Sequence, residues 1–217
     1  MIRAAGRRAR LGGAATVACA ALALGCAPPP EPPRQAVAAP ASGGELDAGF
    51  RGVEATGQGL ELDLPDADGW RHDGRELHSF VAVHAATRSR LIIRAWTADA
   101  IVSPADCERE MRKLRPELPV LAPGERVEER SLRVAGDHAA LLVAGVASSP
   151  ASASELDGHA LLFGSDGRHC LALIYSTSAQ GASAPRTIGE RLGSMTRITF
   201  ERVRRLGIDE RVQVQRR

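Results

Sequence analysis

The four cysteines are the residues of this chain whose chemistry is most distinctive. Cys19 and Cys26 lie within and just after an apolar stretch near the N-terminus, whereas Cys107 and Cys170 lie far along the chain. A thiol can be acylated, can bind a metal, can act as a nucleophile or can oxidise to a disulfide, and its surroundings decide which of these occurs. The sequence around each cysteine therefore indicates its chemistry.

The N-terminal segment has the order of a secretory signal. Four arginines lie within residues 3–10, and a charge-free run of small and apolar residues follows from Leu11 to Gly25. This is the charged-then-apolar pattern of an export leader. A bilayer-spanning helix needs about 20 apolar residues, and this run is shorter and stops before three prolines that begin at Pro28. The sequence predicts a cleaved signal peptide over residues 1–25.

The end of that run, Leu22-Ala23-Leu24-Gly25-Cys26, resembles the lipobox of bacterial lipoproteins, although the usual Leu three residues before the Cys is replaced here by Ala23. The resemblance implies that the sulfur of Cys26 carries a diacylglyceryl thioether and that cleavage before Cys26 frees an amine for acylation. Two or three acyl chains hold a protein on a bilayer almost permanently. The alternative is a plain signal peptide, in which Cys26 would be an incidental cysteine like Cys19. We expect a lipid-anchored protein of the bacterial cell envelope, at the outer membrane and facing the periplasm or the cell surface.

Export also bears on the other two cysteines. Cys107 and Cys170 remain after the leader and the lipidated residue are set aside, and a compartment outside the cytosol is oxidising. Cys107 lies on the apolar face of a predicted helix and Cys170 on an apolar strand, so a bridge would join helix to sheet. We predict a Cys107–Cys170 disulfide, with two buried free thiols as the alternative.

Composition and charge limit the class of protein. Removing the leader takes away four arginines and no acids, so the formal net charge changes from +2 to −2. A general nucleic-acid role then has no electrostatic basis. Residues 26–45 contain the lipidated Cys and a Pro- and Ala-rich segment without apolar periodicity, which predicts an extended tether. Residues 46–200 suit one globular domain, and residues 201–217 are expected to form a charged tail.

Apolar periodicity predicts strands, a helix, four strands and a second helix. Leu60, Leu62 and Leu64 alternate with acids, which is typical of a strand with one buried face. Ser103-Pro104 opens a helix, with Ser as the N-cap and Pro at the first helical position. Further strands and a helix are predicted in the segments 77–85, 90–97, 127–134, 139–146, 159–163, 170–176 and 185–195. Adjacent strands with tight turns favour an α+β fold with a single, mainly antiparallel sheet between two helices, an αβα sandwich.

This order, with several short motifs, resembles PsbP-like domains, a superfamily that contains the extrinsic PsbP protein of photosystem II, a eukaryotic Ran-binding import factor and many bacterial lipoproteins of unknown role. The resemblance covers roughly residues 57–200. It implies an αβα sandwich and a binding or accessory role, and it transfers no functional residue. The motifs that carry it are Leu60–Pro65 leading to Trp70, the Ser103-Pro104 helix, Leu132–Gly136, and the closing helix with Phe200.

No catalytic or metal-binding motif is present. His72, His78 and His84 recur every six residues, but His78 and His84 on one strand would lie about 20 Å apart, too far to share an ion. The sequence contains no Gly-x-Ser-x-Gly elbow and no complete dinucleotide-binding glycine motif. We therefore expect no catalytic residue, no resident metal and no cofactor.

Three functions remain open at this point. The first is a non-catalytic, lipid-anchored module that binds an envelope partner. The second is a small-ligand binder or hydrolase that uses a cleft near the acidic loops around Asp66 and Asp73. The third is a structural component of an envelope complex. The oligomeric state does not follow from the sequence.

Overall fold

The structure of the chain is a computed structural model that describes residues 49–150 and 152–206. The predicted leader, Cys26 and the tether lie outside the described residues. The described part contains ten strands and two α-helices. These are β1 Phe50–Ala55, β2 Leu60–Pro65, β3 Trp70–His72, β4 Phe80–His84, β5 Ser89–Thr97, α1 Pro104–Leu114, β6 Arg126–Val134, β7 His138–Ser148, β8 Glu155–Asp166, β9 His169–Gln180, α2 Ala184–Ser194 and β10 Arg204–Arg205.

Seven strands form one antiparallel sheet in the order β3-β4-β5-β9-β8-β7-β6. The predicted strands and helices between residues 60 and 195 are confirmed in type and order, which gives the predicted α+β class. The longest hairpin, β8–β9, pairs twelve residues of each strand around a turn at Gly167, whose φ is +58°. Glycine suits that turn because it adopts positive φ without a Cβ clash.

The two faces of the seven-stranded sheet bury separate apolar clusters. On β9, Leu171, Leu173 and Tyr175 belong to the larger cluster, whereas Ala172 and Ile174 belong to the smaller one. This alternation follows from the period of two along a strand. Helix α2 packs on the first face and helix α1 on the second. One helix thus covers each face of the sheet, as predicted.

The prediction of a single sheet is wrong. Strands β1, β2 and β10 form a separate three-stranded antiparallel sheet, with β2 in the centre. The alternating leucines of β2 are buried against the same cluster as α2, with Leu62 and Leu64 fully buried. Alternation shows that a strand has one buried face, but it does not show which strands pair with it. The partner β1 has mostly exposed or half-exposed residues, so periodicity gave it no signal.

Helix α1 begins as predicted. The Ser103 hydroxyl accepts a hydrogen bond from the backbone N–H of Asp106, and the Asp106 carboxylate accepts one from the backbone N–H of Ser103 at 2.8 Å. This capping box satisfies two otherwise free N–H groups. Cys107 and Met111 are fully buried, whereas Leu114, the last helical residue, is 55% exposed. The inward face of α1 is therefore shorter than its apolar spacing indicates.

The end of the domain differs from the expected boundary at residue 200. Helix α2 lies so close to the sheet that a Cβ on Gly158 would come within 2.4 Å of Ile188. The helix continues into a π-helical turn over Met195–Thr199. Beyond Phe200 the chain adds Val203 to the core and pairs β10 with β2. The first part of the predicted tail thus belongs to the domain.

Candidate functional site

The disulfide between Cys107 and Cys170 joins α1 to the start of β9. The two Cα atoms are 5.6 Å apart, and both residues are at most 1% exposed. The bridge closes a loop between positions 63 residues apart, and the chain-entropy model gives about 4 kcal/mol of stabilisation for such a loop. The predicted pairing is present in the structure. It fastens helix and sheet beside the cavity described next.

A row of polar side chains crosses one end of the seven-stranded sheet. Thr97 of β5 pairs with His169 of β9, and His169 also pairs with Asp166 of β8. His138 is the first residue of β7, the strand next to β8, and its neighbour Ala139 pairs with Ser165. Directly paired residues in an antiparallel sheet point to the same face. The row therefore lies on the face that α2 covers farther along the sheet. Asp166 and His169 flank the β8–β9 turn, and His138 directly follows the β6–β7 turn.

A cavity of about 280 Å³ opens beside this row. Its walls come from the β1–β2 turn, the end of β5, the starts of β7 and β9, and β10. We call it the histidine–arginine cleft and define it by Gln58, Thr97, His138, His169 and Arg205. The Gln58 side-chain oxygen accepts a hydrogen bond from the Ala95 backbone N–H at 2.8 Å. This contact joins the β1–β2 turn to the end of the large sheet.

His138 is the most buried polar residue of the histidine–arginine cleft, at 3% exposed. Burial, and next the nearby Arg205 guanidinium, hold the pKa of His138 below its ordinary value of 6.5. Asp166 and a hydrogen bond with the Ala135 backbone act in the opposite direction. The imidazole is thus neutral at pH 7 and can accept one hydrogen bond from Arg205, whose Nη2 lies 3.0 Å from Nδ1 and 2.9 Å from Nε2.

Arg205 comes from β10 and is positioned by the pairing of that strand with β2, in which it lies opposite Leu60. Among the described residues, the carboxylate within 4 Å of its guanidinium is that of Asp166, with Oδ2 3.8 Å from Nη2. Its neighbour Arg204 differs, because its Nη2 lies 3.0 Å from Glu61 Oε1 and 2.9 Å from Asp63 Oδ1. The two arginines of one short strand thus have different surroundings.

The acidic loops do not form an open acidic cleft. Asp68 pairs with Arg51, and Asp73 pairs with Arg75 at 3.0 Å. Hydrogen bonds from Arg75 lower the pKa of Asp73. A depression of about 190 Å³ lies against Asp66 and Asp68, and Asp73 does not line it. The acids predicted as a ligand site are thus engaged by neighbouring side chains.

Asp66 belongs instead to a hydrogen-bonded chain with His84 and Thr87. The His84 Nδ1 accepts the Thr87 backbone N–H at 3.3 Å and lies 2.8 Å from Thr87 Oγ1. Because a backbone N–H only donates, the ring proton is on Nε2, which donates to Asp66 Oδ2 at 2.9 Å. Carboxylate, imidazole and hydroxyl have the order of a nucleophilic triad. His84 and Thr87 are each 1% exposed, so a substrate cannot reach the hydroxyl in this structure.

A buried cluster of hydroxyls continues from Thr87. Ser89 Oγ lies 2.8 Å from Thr87 Oγ1 and 3.0 Å from both Tyr175 Oη and Thr177 Oγ1. Arg191 of α2 donates to the Thr87 carbonyl at 2.9 Å and to Thr177 Oγ1 at 3.0 Å. Burial raises the pKa of Tyr175 and lowers that of Arg191. Since its members satisfy one another, the cluster anchors α2 to the β4–β5 turn.

The remaining histidines do not converge. His72 is exposed and stacks on Phe80, with ring centroids 4.9 Å apart, and His78 is exposed in the loop before β4. Within residues 49–150 and 152–206, no three His, Cys, Asp or Glu side chains come together as a metal site. In the same part of the chain, no helix has the length and apolar character needed to cross a membrane.

Sequence reasoning missed the residues of the histidine–arginine cleft. His138 and His169 follow the turns at Gly136 and Gly167, and a polar residue just after a glycine turn is ordinary in any hairpin. Only the pairing of β5, β9, β8 and β7 brings these positions into one row. Arg205 lies in a segment predicted as tail. The available signal was the repeated pattern of a histidine within two residues after a glycine.

Comparisons with known proteins give only distant similarity. Neither the protein-family models nor the curated proteins contain a match. Similar solved structures include a Bacteroides thetaiotaomicron VPI-5482 protein (12% identity over 58% of this chain and 40% of that one, TM-score 0.36). They also include a point mutant of protein Mog1 (10% identity, 74% and 98% coverage, TM-score 0.46). A third is LpqN of Mycobacterium tuberculosis, which is involved in cell envelope biogenesis. It is 15% identical over 71% of this chain and 89% of LpqN, with a TM-score of 0.41. The chain spans 40% of the Bacteroides protein. Because these three TM-scores are below 0.5, the similarities establish neither a family nor a function.

Proposed function

We propose that this chain is a non-catalytic, lipid-anchored module that binds a partner in the bacterial cell envelope. Cys26 carries the anchor, and the protein lies at the outer membrane, facing the periplasm or the cell surface. The observation that carries the proposal is the buried Cys107–Cys170 disulfide, because such bridges persist outside the reducing cytosol. The leader pattern before Cys26 supports the same compartment. The PsbP-like sequence resemblance supports an accessory role.

The burial of Thr87 supports a non-catalytic role. Among the described residues, Asp66, His84 and Thr87 have the hydrogen-bonding order of a triad, and Thr87 Oγ1 is sealed inside the domain. Gly69 lies directly over this chain, since a Cβ there would come within 2.0 Å of His84 Nε2. The arrangement fastens the β2–β3 connection to the β4–β5 turn.

The anchor is tested by replacing Cys26 in the full chain expressed in a bacterial host. We expect Cys26→Ser to move the protein from the membrane pellet to the soluble or unprocessed fraction and to abolish labelling by a fatty-acid analogue, since serine has no thiol to form the thioether. Cys19→Ser is the matched control and should leave both readouts unchanged. Unaltered lipid labelling of Cys26→Ser would refute the anchor.

A hydrolase is the second candidate, and the Asp66–His84–Thr87 chain is the observation that favours it. It requires the turn around Thr87 to open. Hydrolysis of a panel of chromogenic esters is the test, with Thr87→Val as the variant and Thr199→Val as a control that removes another buried hydroxyl. We expect no turnover by any of the three proteins. Turnover lost only in Thr87→Val would make the hydrolase the better proposal.

A structural role in an envelope complex is separated from partner binding by crosslinking. The full chain is solubilised from membranes in mild detergent and recovered with and without crosslinker. A reversible partner should be recovered in substoichiometric amounts without crosslinker. Recovery in a fixed ratio under both conditions would indicate a permanent structural component.

A further inference from the structure

The histidine–arginine cleft has a set of hydrogen-bond donors at one end of the sheet. We propose that this cleft binds an acidic group, a carboxylate or a phosphate, of a small envelope ligand, and that Arg205, His138 and His169 hold it. The inference rests on the proposed function, since it assigns the ligand class of the binding module. The size of the cavity, about 280 Å³, lies just below the usual range for ligand sites, which suits one small acidic group rather than a large molecule.

The guanidinium of Arg205 is the main reason for choosing an anion. Its Nη2 contacts His138, and neither its Nε nor its Nη1 has a hydrogen-bond partner among the described residues. Arg205 lines the cavity, which places the residue beside any group bound there. A guanidinium recognises carboxylates and phosphates through two parallel N–H···O bonds. Asp166, at 3.8 Å, is too far away for a direct hydrogen bond and leaves this capacity unused.

Two imidazoles also line the cavity. His138 is buried and fixed at the start of β7, and His169 is exposed at the start of β9, where its Nδ1 lies 3.3 Å from Thr97 Oγ1. The charged and titratable groups that face His138 from the packed elements are Arg205 of β10, Asp166 of β8 and His169 of β9. An anion bound beside Arg205 would favour the protonated His138 imidazole by Coulomb attraction.

Binding should therefore be coupled to proton uptake. Without an anion, burial and Arg205 keep the pKa of His138 below 6.5. A bound anion offsets the Arg205 charge, so we expect His138 to gain a proton on binding. The protonated ring no longer accepts a hydrogen bond from Arg205 and donates to the anion instead, and the affinity should rise as the pH falls from about 8 towards about 5.5. Sulfate is a suitable probe because it does not titrate in this range, whereas phosphate does.

The test uses the full chain in neutral detergent, with sodium sulfate added at constant ionic strength and the histidine ring resonances followed by NMR. We expect saturable shifts of the His138 and His169 signals, and tighter binding at about pH 5.5 than at about pH 8. Arg205→Gln should weaken binding by about tenfold or more, as expected for the loss of a charge-assisted hydrogen bond. Arg204→Gln, on the same strand and facing Glu61 and Asp63, should change it by less than about twofold.

Two sources of the acidic group are distinguished with vesicles. A free small anion predicts sulfate binding without a difference between phosphatidylglycerol and phosphatidylcholine vesicles in the Cys26→Ser protein. A lipid headgroup predicts Arg205-dependent sedimentation of that protein with phosphatidylglycerol vesicles. Either result supports the proposal. Absence of saturable sulfate shifts together with absence of Arg205-dependent sedimentation overturns it, as does an equal loss of binding in Arg204→Gln and Arg205→Gln.

Failure of this inference is distinguishable from failure of the proposed function. Membrane fractionation and partner recovery depend on Cys26 and do not require the anion. If Cys26-dependent membrane association and partner recovery persist in Arg205→Gln while sulfate does not bind, only the ligand class is wrong. If Cys26→Ser leaves the lipid labelling unaltered, the anchored module is wrong whatever the sulfate result.

Discussion

The Cys107–Cys170 bridge allows a quantitative prediction about stability. Its two ends are 63 positions apart, and for a loop of this length the chain-entropy model gives an entropy loss in the unfolded chain of about 14 cal/mol/K, or about 4 kcal/mol at 25 °C. We therefore expect the Cys107→Ala/Cys170→Ala double variant to have a free energy of unfolding about 4 kcal/mol lower than that of the oxidised protein. With a urea m-value of about 2 kcal/mol/M, the midpoint falls by about 2 M.

The assay is urea unfolding followed by near-ultraviolet circular dichroism on the full chain, with and without reductant. Reductant should lower the wild-type midpoint to that of the double variant and should leave the double variant unchanged. If the double variant does not fold, the urea midpoints of the wild-type protein with and without reductant supply the same comparison. A midpoint shift below about 0.5 M would refute the loop-entropy reasoning. Two titratable thiols in the urea-denatured protein without reductant would refute the bridge itself.

Three further predictions concern the same unfolding assay. Leu62→Ala removes a fully buried side chain and should lower the free energy of unfolding by about 2–5 kcal/mol. Leu77 is 90% exposed, so Leu77→Ala should lower it by less than about 0.5 kcal/mol. Equal losses in the two variants would contradict the assigned core. Ser103→Ala should cost about 1 kcal/mol through loss of the N-cap, and a null effect would refute the capping role. Burial holds the pKa of His159 below 6.5 in the folded state, so the unfolded chain binds more protons and stability falls as the pH drops from about 7 through 6.5 to the folded pKa. His159→Gln should reduce this slope and the exposed His78→Gln should not; identical slopes in both variants would contradict the assignment.

Local signals in the sequence predicted the elements that have strong local causes. The capping box at Ser103 and the alternating leucines of β2 depend on neighbouring residues, so they could be predicted from the sequence. Strand β1, and the division into two sheets, depend on which strands pair over long distances, and β1 carries no apolar alternation. The two-residue strand β10 is too short for any periodicity.

The candidate site was less predictable than the fold. The cysteine pairing followed from the count of cysteines and the expected compartment, without knowledge of the strand order. The histidine–arginine cleft depends on the register of four strands and on an arginine from a different sheet. Neither feature has a local sequence cause. The acids of the Asp66 and Asp73 loops resembled ligands because their partners, His84 and Arg75, could not be assigned from sequence alone.

The short strand β10 has a consequence for any attempt to shorten this protein. A fragment ending at Phe200, the boundary that sequence patterning favours, would lack β10 and expose the β2 edge at Leu60 and Glu61, the two residues that pair with β10. Exposed edges of apolar strands recruit strands from other molecules. Such a fragment would also lose Val203 from the core. We therefore expect a fragment that ends at Phe200 to self-associate more readily than the full domain, so a shortened protein for biophysical work should extend at least to Leu206.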